Sequence, residues 1–139
     1  MRGAAAKYAG PIGTPGRPWG DDERAQWLAK VGTVKRSYEE EVLKQLEPLK
    51  EHFDVEQFGA LSRDPARYPL YAVRTRGWDP SKPSVLVTGG VHGYETSGVQ
   101  GALCFLREKA QDYSRTFNIL VAPCVSPWAY ECIQRWDYN

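Results

Sequence analysis

An α/β fold, with a partial mixed sheet that includes a parallel βαβ unit, is what this sequence predicts, and three observations predict it. Two short apolar runs, Ser84–Thr88 (SVLVT) and residues 117–122 (FNILVA), have the length and β-branched content of strands buried on both faces. Between them Val99, Ala102, Leu103, Leu106 and Ala110 fall on one helical stripe. Upstream, residues 55–61 and 70–76 carry an extended pattern broken by the turn-rich Ser62-Arg63-Asp64-Pro65. Strand, helix, strand over residues 84–122 calls for parallel pairing with a right-handed crossover, and the earlier pair for an antiparallel addition on the outer side.

The elements follow in order. Residues 1–20 are rich in Gly and Pro and predict a flexible or extended leader. Asp21-Asp22-Glu23 puts carboxylates at a helix start, where they complement the dipole. Trp27, Leu28 and Val31 give that helix an apolar side, and Gly32 suits its stop. Ser37-Tyr38-Glu39-Glu40 is a capping-box pattern ahead of Val42, Leu46, Leu49 and Phe53. Pro48 interrupts that run and predicts a kink or a fresh helical turn. Glu39, Glu40 and Glu41 read as a solvated face. Residues 21–53 thus form a helical segment and 54–139 the α/β part. The Trp78–Pro83 stretch, with two prolines, is a loop, and Thr96 or Ser97 is placed to cap the main helix. Two parallel strands alone leave one sheet edge and much of one face uncovered.

Composition narrows the function. The 139 residues make one domain's worth of chain. Lys+Arg 18 against Asp+Glu 17 leaves no basic surplus for nucleic-acid phosphates. No apolar run approaches the roughly 20 residues that span a bilayer, and no secretory apolar segment opens the chain. Cys104, Cys124 and Cys132 are odd in number and lack zinc-knuckle spacing, which reads as free thiols in a cytoplasmic protein. Neither Cys124 nor Cys132 has a histidine partner that would make it a nucleophile.

Chemistry concentrates at the end of the first apolar run, in Gly89-Gly90-Val91-His92-Gly93-Tyr94-Glu95-Thr96-Ser97-Gly98. Ligands of open α/β sheets bind beyond the carboxyl ends of strands, and glycines permit a sharp turn there. His92 and Glu95 sit three residues apart across that turn and can aim an imidazole nitrogen and a carboxylate oxygen at one Zn²⁺ ion. A structural histidine is the alternative. A phosphate cradle is a third reading, but the segment has neither a Gly-Lys-Ser/Thr ending nor the Gly-x-Gly-x-x-Gly order.

These residues carry a resemblance. GGVHGYETSG after VLVT resembles the first zinc-binding motif of the M14 metallocarboxypeptidase family, and FNILVAPCVSPWAYECIQRW resembles the strand and turn that follow it. The likeness covers residues 54–139 and implies a zinc carboxypeptidase-like (phosphorylase/hydrolase-like) fold. It implies that His92 and Glu95 are two zinc ligands and that Arg135 polarises the scissile carbonyl and stabilises its oxyanion. It further implies hydrolysis of a C-terminal peptide bond in a peptide substrate with a free C-terminus, through water activated by zinc. Of the family's Asn-Pro-Asp-Gly-type turn only the proline survives, in Ser126-Pro127-Trp128-Ala129, and the later Asn-Arg pair is absent. Asn139 is therefore assigned no role. No histidine follows His92, and His52 lies upstream on a helix end. The chain is thus expected to be an N-terminal part of such an enzyme and inactive alone. Related zinc-dependent N-acyl amino acid deacylases share a Gly-x-His-Gly-x-Glu motif, and a truncated, non-catalytic binding module is the reading from another class.

Overall fold

The computed structural model of the chain describes residues 11–133. Helix α1 (Asp21–Val31) is followed by a π-helical turn (Glu39–Leu43), α2 (Lys44–Leu46) and a 3-10 turn (Pro48–Glu51). Then come strands β1 (Phe53–Ala60), β2 (Pro69–Thr75) and β3 (Ser84–Thr88), helices α3 (Thr96–Glu108) and α4 (Ala110–Tyr113), strand β4 (Asn118–Ala122) and helix α5 (Pro127–Cys132).

Local chemistry accounts for these boundaries. Glu23 Oε2 accepts the Gly20 N–H at 2.8 Å, fixing the start of α1. Ser37 Oγ accepts the Glu40 N–H at 3.1 Å, half of the predicted capping box. Its other half is not made that way, because the Glu40 carboxylate pairs instead with Lys44 at 2.6 Å. Pro48 opens the 3-10 turn, as expected of a residue that cannot continue a helix. Residues 126–129, expected as a turn, instead begin helix α5, with Ser126 at its N-cap and Pro127 in its first turn. Proline lacks the N–H that a first turn leaves unpaired anyway.

The sheet order is β1-β2-β4-β3. β1 and β2 pair antiparallel, β2 and β4 antiparallel, and β3 and β4 parallel from Ser84↔Asn118 to Thr88↔Ala122. This is the mixed sheet the sequence predicts, its parallel βαβ unit spanning β3, α3 and β4. Strand alternation puts Val73, Val121 and Val87 on one face and Arg74, Leu120 and Leu86 on the other. The first face joins the core, where Val99, Ala102, Leu103 and Leu106 of α3 and Ala110 of α4 are buried as the helical stripe requires.

The second face is open, which corrects one expectation. β3 is not buried on both sides: Leu86, on this face, is 65% exposed, and even Val85, on the opposite face, is 38% exposed. β3 is an edge strand, and α3 lies on only one of its faces. β4, flanked on both sides, is buried as predicted.

One buried charge ties the N-terminal segment to the sheet. Glu131 on α5 is 3% exposed. Its carboxylate accepts the Tyr38 backbone N–H at 2.8 Å, the Tyr68 Oη at 2.9 Å and the Arg67 Nε at 2.8 Å. The Glu131 carbonyl accepts the Lys35 N–H at 2.8 Å, and the Lys35 and Arg36 side chains cap the carbonyls of Cys132 and Tyr130. Cations there complement the carboxyl end of α5. Glu131→Ala strands the Tyr38 N–H without a partner and removes the carboxylate acceptor of the Tyr68 hydroxyl. We expect a loss of about 3 kcal/mol in urea-denaturation stability, since each orphaned buried group costs roughly 1–3 kcal/mol.

Candidate functional site

The loop from Gly89 to Glu95 leaves β3 and is pinned from several sides. The Gly89 N–H donates to Ala122 O at 2.8 Å, and its carbonyl accepts the Val125 N–H at 3.0 Å. Gly90 has φ +63°, a left-handed conformation that favours glycine, and a Cβ there would lie 2.6 Å from Val99 Cγ2. Ser126 Oγ donates to Val91 O at 2.9 Å. At Gly93 a Cβ would lie 2.2 Å from the Tyr130 nitrogen and 2.3 Å from the Ala129 carbonyl carbon. The loop backbone therefore sits directly on the backbone of α5.

So held, the loop presents His92 and Glu95 together. The Glu95 N–H donates to His92 O at 2.9 Å, and Glu95 stands at the N-cap of α3, the place expected for Thr96 or Ser97; no side-chain cap bond forms there. His92 Nδ1 and Glu95 Oε2 are 3.3 Å apart, with both side chains more than half exposed. The Tyr94 ring lies parallel to the imidazole, centroids 6.1 Å apart and planes 4° apart. These residues, with Thr88, Gly90 and Val91, line an open cavity of about 540 Å³ at the carboxyl end of β3.

The two side chains fit a tetrahedral ion as two of its ligands. Donors about 2.0–2.1 Å from a tetrahedral Zn²⁺ stand about 3.3 Å from each other, the separation found here. The same separation serves an ion pair between a protonated imidazole and the carboxylate. Among the described residues, no third His, Cys, Asp or Glu joins them. Arg135 and Asn139 lie outside the described residues.

The remaining candidates take other roles. His52 is half-exposed at the end of the 3-10 turn, 4.0 Å from Glu51, and joins no group of metal-ligating side chains among the described residues. Cys124 and Cys132 are buried, Cys104 is exposed, and all three are unpaired. Burial pushes the Cys124 thiol up to about 12, which leaves it an inert core residue.

Sequence reasoning passes over the residues that support the loop. Tyr130 is fully buried; its hydroxyl donates to Glu41 and accepts the Gln100 Nε2 at 3.0 Å. Burial, with the Glu41 hydrogen bond next, pushes that phenol up to about 12, so it stays protonated at neutral pH. Glu41 is accordingly no member of a solvated face. The π-helical turn that carries it has no signature in the 3.6-residue pattern. Glu131 follows directly after Tyr130 in a run that reads as a surface turn, so its charge gives no hint of burial.

The fold is a four-stranded mixed α/β sheet with the loop at the carboxyl end of its edge strand β3. Neither a protein-family model nor a curated protein sequence matches the chain. Solved structures do match. One, a protein of Shewanella amazonensis provisionally named a metallopeptidase, superposes with TM-score 0.54 at 22% identity, over 72% of this chain and 36% of that one. A protein of Shewanella denitrificans, named likewise, gives TM-score 0.53 at 20% identity, over 71% of this chain and 37% of its own. A third, from Shewanella baltica, gives 0.53 at 20% over 71% and 36%. The chain thus spans a little over one third of the length of these proteins. What the likeness shows is the fold.

The backbone contact at Gly93 can be tested against a neighbouring glycine. Gly93→Ala must push a methyl group into the α5 backbone and is expected to cost about 3 kcal/mol, the upper end for overpacking. A Cβ at Gly101, on α3, would instead meet open space. Gly101→Ala should stabilise by about 0.5–1 kcal/mol through helix propensity. Thermal melts of the two variants check both signs.

Proposed function

We propose that this chain carries the first metal-ligand loop of a zinc-dependent metallocarboxypeptidase, with His92 and Glu95 as two of the protein ligands. The observation that carries the reading is the 3.3 Å approach of His92 Nδ1 to Glu95 Oε2 on a loop beyond the carboxyl end of β3, open to a cavity. Support comes from the fold shared with proteins named as metallopeptidases and from the sequence resemblance of residues 84–98. Zinc bound there supplies Lewis acidity toward a peptide carbonyl and lowers the pKa of its water.

The chain's own residues have separate tasks in this reading. Glu95 brings a negative charge and His92 a neutral donor, so together they offset part of a divalent charge. The glycines let the loop backbone close onto β4, α3 and α5, which fixes the backbone that carries both side chains. The open cavity gives an extended peptide room to approach His92 and Glu95. Arg135, carried over from the resemblance, is assigned to the oxyanion, a task suited to a guanidinium because it stays charged. The substrate is a peptide with a free C-terminus. Three unpaired thiols support a cytoplasmic setting, and no helix among the described residues is long and apolar enough to cross a membrane.

Titration with Co²⁺ or Zn²⁺ tests the ligand assignment. Two protein donors should bind weakly, and His92→Ala and Glu95→Ala should each lower the affinity at least about tenfold, as loss of a ligand demands. Tight binding that survives His92→Ala would overturn the assignment. Unchanged structure with no His92-dependent binding at all points instead to a non-catalytic binding module.

A further inference from the structure

Tyr130 touches the supports of both proposed ligands, one through its backbone and the other through its hydroxyl. Its backbone nitrogen lies against Gly93, the residue following His92 in the loop. Its hydroxyl accepts the Gln100 Nε2 at 3.0 Å, and Gln100 sits on α3, the helix whose N-cap is Glu95. The same hydroxyl donates to Glu41, which locks the acceptor lone pair toward Gln100. From above, the Arg36 guanidinium covers the ring at 5.2 Å while bonding the Tyr130 carbonyl. The residue is thereby fixed at its backbone, ring and hydroxyl.

We infer that Tyr130 is a positioning residue for the metal-ligand pair, holding the His92 loop against α5 and, through Gln100, the Glu95 end of α3 in a fixed register. This rests on the metal reading of His92 and Glu95. The physical argument is geometric. The loop carries His92 and the helix start carries Glu95, so their donor separation depends on how the loop and α3 sit relative to each other. Tyr130 contacts the loop through its main chain and α3 through its hydroxyl. Removing the hydroxyl leaves the loop seated on α5 but frees α3 from that common support. Outer contacts that orient ligands govern metal affinity without touching the ion.

The test uses the 139-residue chain and Co²⁺ titration, followed by calorimetry and by the cobalt absorption spectrum, with a melting curve for each variant. Tyr130→Phe keeps the ring and removes the hydroxyl. Gln100→Ala breaks the same hydrogen bond from an exposed helix position, where folding is not at risk. Tyr38→Phe is the control: it removes a buried hydroxyl whose hydrogen bond, 2.7 Å to Pro69 O, reaches β2 and neither the loop nor α3. Tyr130→Phe and Gln100→Ala are expected to weaken Co²⁺ binding about tenfold and to alter the cobalt spectrum, the low end for outer-contact substitutions. Tyr38→Phe should lower Tm and leave the affinity unchanged. Parental affinity in both Tyr130→Phe and Gln100→Ala overturns the inference, as does an equal loss of affinity in Tyr38→Phe. If His92→Ala binds as well as the parent, the ligand assignment itself fails and the positioning role falls with it.

Discussion

The backbone of Gly93 resting on the backbone of α5 is the contact on which the site depends. A Cβ at residue 93 would stand 2.2 Å from the Tyr130 nitrogen, so the approach exists only because position 93 has no side chain. His92 and Glu95 flank this contact. Their convergence is therefore set by where α5 lies, and α5 is only six residues long. A helix so short has little stability of its own. It is held by its neighbours: the Glu131 carboxylate, the Lys35 and Arg36 side chains on its last carbonyls, and the buried ring of Tyr130. The segment at residues 35–41, which the sequence pattern sets apart from the α/β part, thus supports the helix on which the loop rests.

Burying Glu131 has an energetic logic. A carboxylate removed from water is costly unless hydrogen bonds and a counter-charge replace its solvent. Here three kinds of donor converge on it: a main-chain N–H, a phenol and a guanidinium. The Arg67 side chain is 47% exposed, so its charge keeps much of its own hydration. Only one member of the pair is fully desolvated, which lowers the cost of the arrangement. What it contributes is direction. A hydrophobic residue at 131 could fill the space, but it could not require Tyr38, Arg67 and Tyr68 to arrive at fixed angles around α5.

Much of the fold is legible because it is written in periodicity. The α3 stripe, the FNILVA strand, the Pro48 break and the Gly-rich turn each follow from one local rule, and each stands where that rule puts it. The failures share a cause as well. β3 reads as buried because SVLVT is apolar throughout, yet burial depends on what lies beside a strand, which its own residues do not encode. Glu41, Gln100, Tyr130 and Glu131 escape notice because each is polar, and polar residues read as surface until a partner far along the chain is known. Tyr130 meets its partner Glu41 across 89 residues of sequence. At the site itself, the pairing of His92 with Glu95 is legible from the spacing, whereas the reason the pair holds its geometry is not.

The two edges of the sheet are unlike, and the difference bears on the site. β1 carries a register shift at Phe58 and the charges Asp54 and Glu56, devices that discourage further pairing. β3 has no charge, and Leu86 lies open beside Val85. An edge of that kind is suited to a covering element, yet the site loop at its end does not wait for one. Gly89 is bonded to Ala122 and Val125, both on the β4 side; Val91 is bonded to Ser126; Gly93 is seated on α5; and Glu95 opens α3. Each anchor lies inward of β3 or on the helices that follow. The His92–Glu95 pair is accordingly formed by the described residues themselves, and whatever packs on the outer edge of β3 meets a loop that is already set.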